Sequence, residues 1–316
     1  MDALIEMFKN VLVFVLLAVP GVIVVKIKML KSEQSGVLSK VLQYIGLPFL
    51  VLSSTLNVEC NKEFLKVIGI SAAISSGFTM MMYFLSKPLT AMEKDERKRG
   101  MMRFCQIATN NGFLGIPLAV AVFADRPLVV TSLIIVNIVS LIFFNTFGIY
   151  LVSGNKSAIQ AKKALLNPVL IAFVLGIVLN LLDVKTHVEE VSTYAGYLGG
   201  LVTPLCMLIL GMKLGDAPIK PLFTTWKSYY VAAIKLVLVP VLVVAVTLLL
   251  RQFFAIGDDV VFGLFIGFAL STATLGIVFA DNYGGDTENG VIFTLGNTLL
   301  SIVSVPILYW LLVAIL

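Results

Sequence analysis

Apolar residues in this chain come in runs of about twenty, the length that carries an α-helix across the hydrocarbon of a bilayer. Ten runs fall at roughly 7–25, 36–56, 64–86, 101–125, 127–153, 167–184, 194–215, 228–250, 259–281 and 289–315. They alternate with short polar stretches, none long enough for a soluble domain. A backbone in lipid must satisfy its own hydrogen bonds, and a helix does so locally. The pattern predicts an all-α membrane protein of ten transmembrane helices.

The fourth run departs from a plain span. It reads Asn110-Asn111-Gly112-Phe113-Leu114-Gly115-Ile116-Pro117. Proline removes an amide donor and clashes with the carbonyl four residues back, and it biases its predecessor away from the helical region. Two asparagine amides in hydrocarbon are costly unless paired. Irregular backbone at membrane depth is tolerated where protein buries it or where it lines a cavity. Secondary transporters build midplane binding sites from such discontinuous helices.

The two halves of the chain echo one another. Leu47-Pro48-Phe49-Leu50 in segment two parallels Thr203-Pro204-Leu205-Cys206 in segment seven, 156 residues later. Val-Phe-Ala-Asp ends segments four and nine at 122–125 and 278–281, again 156 apart, and Asn137 and Asn297 correspond at an offset of 160. Five spans per repeat is an odd number, so the second copy is inverted in the membrane: a 5+5 inverted repeat. Segment nine then partners segment four, and Ser271-Thr272-Ala273-Thr274 marks its expected break. Pro117 suits the first position of a new half-helix. Ser271, Thr272 or Thr274 is expected to cap the other. Two half-helices starting at the midplane present dipole ends and free amides, an anion site without a charged side chain. Asn137 and Asn297 add amide donors, or serve as interhelical hydrogen-bonding groups. Gly112 and Gly115 also permit close helix packing.

Charge sets the orientation. Sixteen lysines and arginines fall on the loops and span edges of one side, including Lys94, Arg97, Lys98, Arg99 and Lys163; six, including Lys185, fall on the other. The positive-inside rule puts the sixteen in the cytoplasm and both termini outside an inner (plasma) membrane. Composition agrees: 59% hydrophobic residues, mean hydropathy +1.01 and 13% charged, against ~25% charged in soluble domains. The net charge of +5 belongs to these loops, so no nucleic-acid partner is expected. Cys60, Cys105 and Cys206 are too few and too scattered for a disulfide framework or a metal site. No paired catalytic residues, metal motif or cofactor site is apparent, so an enzyme is not expected. Lys235, about nine residues into segment eight, is expected to snorkel to the cytoplasmic interface, with a charge-partner role for it and Asp281 left open. His187 is expected to be solvated in an external loop.

Leu38-Ser39-Lys40 through Pro48, Asn111 through Pro117, Lys235 through Pro240, and Ala280-Asp281-Asn282-Tyr283-Gly284 together resemble the auxin efflux carrier family, bacterial relatives of plant auxin exporters, over essentially the whole chain. The resemblance implies a bile acid/sodium symporter-like fold with crossed, broken helices four and nine. It implies elevator-type transport of a small organic anion, auxin-like or a mono- or dicarboxylate. It also implies a scaffold from 1–57 and 165–216, a moving unit from 64–154 and 226–316, and a homodimer formed through the scaffold amid membrane lipid. The family usually carries a proline at the segment-nine break, where this chain has Ser271-Thr272. Two other classes stay open: a sodium- or proton-coupled cation antiporter or symporter on the same fold, and a non-transporting membrane sensor. The acids Asp125, Asp258, Asp259, Asp281, Asp286 and Glu288 lie at segment ends, which disfavours a buried carboxylate for the coupling ion.

Overall fold

The computed structural model describes residues 2–159, 162, 166–184, 189–217 and 219–316. The expectations for Lys163, Lys185 and His187 fall outside the described residues. Among the described residues the chain is helical and has no strand beyond one isolated β-bridge. Seven helices among the described residues are long and apolar enough to cross a membrane: Met7–Lys26, Ser32–Leu56, Lys62–Leu89, Pro127–Ser153, Glu190–Gly215, Trp226–Arg251 and Thr287–Ile315. Three of the ten apolar runs make shorter pieces. The fourth divides into Glu96–Ile107 and Asn111–Val122, and the ninth into Asp258–Ala269 and Leu275–Tyr283. The sixth forms a helix of 14 residues, Pro168–Leu181.

Local chemistry sets several helix starts. Asn61 accepts from the Phe64 amide at 3.0 Å, Asp95 from Arg97 and Lys98, Asn167 from Val169 at 2.8 Å, and Asp286 from Asn289. Each satisfies an amide that the first turn leaves free. Proline leaves a different mark. Among the described residues four helices widen into π-turns, at 42–46, 111–115, 144–148 and 234–238; three of these end just before Leu47-Pro48, Ile116-Pro117 or Val239-Pro240, whereas the one at 144–148 precedes no proline. The proline ring crowds the carbonyl four residues back and offers no N–H. A local i→i+5 turn absorbs that mismatch without ending the helix.

Small residues bring helices into backbone contact. Helix 2–26 lies along 202–215 with Gly21 against the Leu208 carbonyl and Gly211 against that of Ala18, positions where a Cβ has no room. Helix 32–56 packs on 168–181 and 189–200, with Gly176 over Thr55 and Gly199 over Leu50. Asn180 donates to the carbonyls of Thr55, Leu56 and Val58, closing the end of helix 32–56. Elsewhere, helix 127–143 packs on 62–89 and 258–269, with Gly263 over Ser132 and Gly267 over Val136. Ser132 also shares a 2.8 Å hydrogen bond with Ser71.

One ion pair ties the 90–95 loop to the start of helix 226–251: Lys227 Nζ lies 2.6 Å from Glu93 Oε2. Burial alone raises the Glu93 carboxyl. The hydrogen bond from Lys227, the Asp95 amide and the charges of Lys227 and Lys98 together outweigh it and hold the group below its ordinary value.

Candidate functional site

The two interrupted helices cross at their breaks. Residues 108–110 separate helix 96–107 from 111–122, and residues 270–274 separate 258–269 from 275–283. The gaps run antiparallel: Thr109 bridges Thr272, the Asn110 amide donates to the Ser271 carbonyl at 2.9 Å, and the Ala273 amide to that of Ala108 at 3.4 Å. Two residues' worth of sheet pairing thus satisfies backbone groups that hydrocarbon would otherwise leave unpaired. Two helix N-termini and two C-termini meet there.

The first break is placed differently from the sequence expectation. Helix resumes at Asn111, six residues before Pro117, so Pro117 sits in the second turn and not at the first position. The Asn110 carbonyl accepts from the Leu114 and Gly115 amides, and the π-turn accommodates the proline. The hydroxyl caps of the second break are also absent. Thr274 occupies the N-cap position of helix 275–283 but makes no capping bond. Thr272 instead donates to the Cys105 carbonyl at 2.9 Å, at the end of the opposing half-helix, and accepts from Asn297 at 2.8 Å.

The named residues divide into two groups. Asn110, Asn111, Gly112, Asn137 and Thr274 border a narrow cleft of about 50 Å³. Asn111 is buried and donates to Ser140 Oγ at 3.2 Å, leaving its oxygen unpaired. Asn137 has the complementary vacancy: its Nδ2 has no partner, while its oxygen faces Gly112, where a Cβ would lie 3.5 Å away. Gly115, Pro117, Ser271, Thr272 and Asn297 are packed behind this wall and do not line it. Gly115 faces Leu270, and Ser271 is fully buried with an unpaired hydroxyl.

Lys235 does not snorkel. It is fully buried, and its ammonium donates to Thr109 Oγ1 at 2.5 Å and to the Phe268 carbonyl at 3.3 Å. Helix 226–251 places it facing the crossing rather than an interface, and a hydroxyl plus a helix-end carbonyl replace the water that snorkelling would seek. Asp281 is exposed on helix 275–283 and borders no part of the cleft; Lys235 has no ion pair among the described residues.

The structure adds residues that the sequence reading passed over. Thr109 carries both the bridge and the Lys235 contact, Ser140 positions Asn111, and Gln43 and Asn167 border the cleft. Asn167-Pro168 bears a legible helix-start signature, and Thr109 merely extends the Asn110-Asn111 polar cluster. Chemically, the cleft offers apolar walls from Leu47, Phe113, Leu141 and Phe144 and neutral polar groups, with no Asp, Glu, Lys, Arg or His in its lining. At about 50 Å³ it has room for a few waters, so an organic substrate would need it to widen. The donors bordering the cleft are the side-chain amides of Gln43, Asn110, Asn137 and Asn167, the Thr274 hydroxyl and the Gly112 and Phe113 amides in the first turn of helix 111–122; the Asn111 amide already donates to the Thr109 carbonyl.

A family model described as membrane transport protein matches residues 6–309. An uncharacterized transporter of Methanothermobacter thermautotrophicus is 28% identical over 215 residues, spanning 66% of this chain and 67% of its own length. The uncharacterized transporter MJ1031 of Methanocaldococcus jannaschii is 26% identical over 217 residues, 66% of this chain and 70% of its own length.

Proposed function

The chain belongs to the membrane transport protein family, that of the auxin efflux carriers, and we propose that it is a secondary carrier of a small organic anion held at the paired breaks. The observation that carries this reading is the crossing itself: two unwound segments bonded antiparallel at Thr109 and Thr272, beside a cleft of neutral donors. Helix N-termini favour an anion without any side-chain charge. The apolar walls favour a carboxylate with an apolar body, auxin-like or another mono- or dicarboxylate.

The architecture in this reading has ten spans as an inverted repeat, with the divided fourth and ninth segments as symmetry mates. Packing supports a two-part mechanism. Segments one, two, six and seven pack mainly on one another, as do segments three to five with eight to ten, and the cleft lies between Leu47 of the first group and Asn111 of the second. Elevator-type movement of the second group carries the site past the first, with the scaffold helices pairing two copies in the plasma membrane and both termini outside.

Uptake of radiolabelled benzoate, indole-3-acetate, malonate and succinate into proteoliposomes, with and without sodium and pH gradients, tests the reading. Saturable uptake of at least one, competed by unlabelled carboxylates, is expected. Uptake of none of them, with no carboxylate raising the melting temperature, overturns it.

A further inference from the structure

A second cavity, of about 690 Å³, opens at the end of the molecule where the lysines and arginines gather. It lies between the start of helix 96–107 and the end of helix 127–153, bordered by Asp95, Glu96, Arg97, Arg99, Arg103 and Tyr150. Gly100 lies against the Leu151 carbonyl, with no room for a Cβ, so the two helices touch backbone to backbone at its wall. The charges do not cancel within it. Glu96 pairs with Arg99 at 3.2 Å, and Asp95 uses one oxygen to cap the Arg97 and Lys98 amides. Arg97 and Arg103 have no ion pair among the described residues. Arg103 reaches across to helix 62–89, where Nε donates to Ser86 Oγ at 3.1 Å and Nη2 to the Tyr83 carbonyl at 2.9 Å. Neutral oxygens thus hold its guanidinium in place and leave its charge unmatched.

Tyr83 also marks where the cavity meets lipid. The Arg103 guanidinium lies 5.1 Å from its ring centre, and the same ring packs on Phe84 and Phe147, which are 66% and 39% exposed. Guanidinium groups at the end of a span, above an exposed aromatic face, follow the order of a phospholipid: phosphate first, chains beneath. Guanidinium geometry matches phosphate oxygens, and basic pockets between spans on the cytoplasmic side suit anionic headgroups. We propose that this cavity binds an anionic phospholipid of the cytoplasmic leaflet, its phosphodiester between Arg97 and Arg103 and its chains along Phe84 and Phe147. Three arginines against two acids leave one net positive charge, the complement of a phosphodiester, and the first turn of helix 96–107 adds its dipole. A soluble phosphate would meet the arginines and leave the aromatic face uncovered. The site shares no lining residue with the cleft at the crossing and does not depend on what the substrate is.

The test is the melting temperature of the purified full-length protein in detergent, titrated with phosphatidylglycerol, with phosphatidylcholine of the same chains, or with inorganic phosphate. Phosphatidylglycerol is expected to raise it saturably; the other two are not. Arg103→Gln and Arg97→Gln are each expected to raise the half-saturating lipid concentration about fivefold, ~1 kcal/mol per basic residue at an anionic surface. Arg97 is exposed and makes no side-chain bond among the described residues, so Arg97→Gln carries the test if Arg103→Gln does not fold. Lys40→Gln, an exposed lysine of the same membrane side outside the cavity, is expected to titrate like the parent. No response to phosphatidylglycerol, equal stabilisation by phosphatidylcholine or by inorganic phosphate, or arginine variants that titrate like the parent would each overturn the proposal. So would a loss in Lys40→Gln equal to theirs. The readout involves no transport, so failure of every carboxylate in the uptake assay bears on the carrier reading alone.

Discussion

The helix break at 108–110 and the one at 270–274 meet in a single crossing but are made from different residues. The first is three residues long and leads into a stretch with two glycines, a π-turn and Pro117. The second is five residues long, Leu270-Ser271-Thr272-Ala273-Thr274, and leads into Leu275-Gly276 with no proline and no π-turn; neither gap itself contains glycine or proline. It is nonetheless the more open of the two. What the second break has is a partner: Thr272 gives its hydroxyl to the opposing Cys105 carbonyl, and the Ser271 carbonyl takes the Asn110 amide. The difference teaches that a helix can be held open by bonds to its neighbour, with no proline in its own sequence.

The comparison is broken most severely at the glycines. Gly276, at the start of the second half-helix, lies against the ring of Phe104, where an added Cβ has no room. Phe104 cannot yield, being fully buried and packed on Phe144 and Phe279. Gly115, in the first half-helix, faces Leu270 Cδ1, 3.1 Å from an added Cβ, the mobile end of a flexible side chain. Gly276→Ala is expected to cost about 3 kcal/mol, the upper end of overpacking penalties, and Gly115→Ala under about 1 kcal/mol. Denaturation of both variants in detergent checks this. Equal losses would mean that the two half-helices are equally constrained.

Thr272→Val comes next. It removes a donor to Cys105 and an acceptor for Asn297, whose own oxygen is already unpaired. The loss is expected at about 1–2 kcal/mol, a buried amide left without partners. Ser271→Ala deletes a hydroxyl that has no partner and is expected to be near neutral. If the two substitutions behave alike, Thr272 is not what holds the second break.

Asn137→Ala sharpens the functional side. Its unpaired Nδ2 makes it the stronger anion donor, whereas Asn111 already spends its nitrogen on Ser140. Carboxylate affinity is expected to fall about tenfold, ~1.4 kcal/mol, without loss of melting temperature. Asn111→Ala is expected to lower both, and a titration by thermal shift separates them.

Much of this was legible in the sequence, because runs of twenty apolar residues and an Asn-Asn-Gly…Pro cluster are local signals. The helical class, the break in segment four and the cleft-bordering Asn110, Asn111 and Gly112 come from such signals, whereas Asn137 and Thr274 come from matching the two halves of the chain. What misled was treating each break as self-contained. Pro117 reads as a half-helix start because nothing local reveals that a π-turn absorbs it, and Thr272 or Thr274 reads as a cap because the competing acceptor, Cys105, lies 167 residues away in sequence. Lys235 reads as an interfacial lysine for the same reason: its partners Thr109 and Phe268 are 126 and 33 residues distant. Periodicity carries no information about such contacts.

Pro117→Ala is the smallest expected effect and the most direct probe of how the first break is held. If the proline made the break, restoring an N–H at 117 would let the helix close through 108–110 and consume the amides an anion needs. The geometry argues otherwise. The break ends at Asn110, and Asn111 is fixed by Ser140 on one side while Thr109 is fixed by Thr272 and Lys235 on the other. Alanine at 117 regains one hydrogen bond and loses the chain stiffness of proline, a change of about 0.4–1 kcal/mol through the unfolded state. Carboxylate affinity is therefore expected to stay within about threefold of the parent, ~0.7 kcal/mol. A loss as large as that of Asn137→Ala would show that the first break depends on its own proline, and that the two halves of the crossing are held open by different means after all.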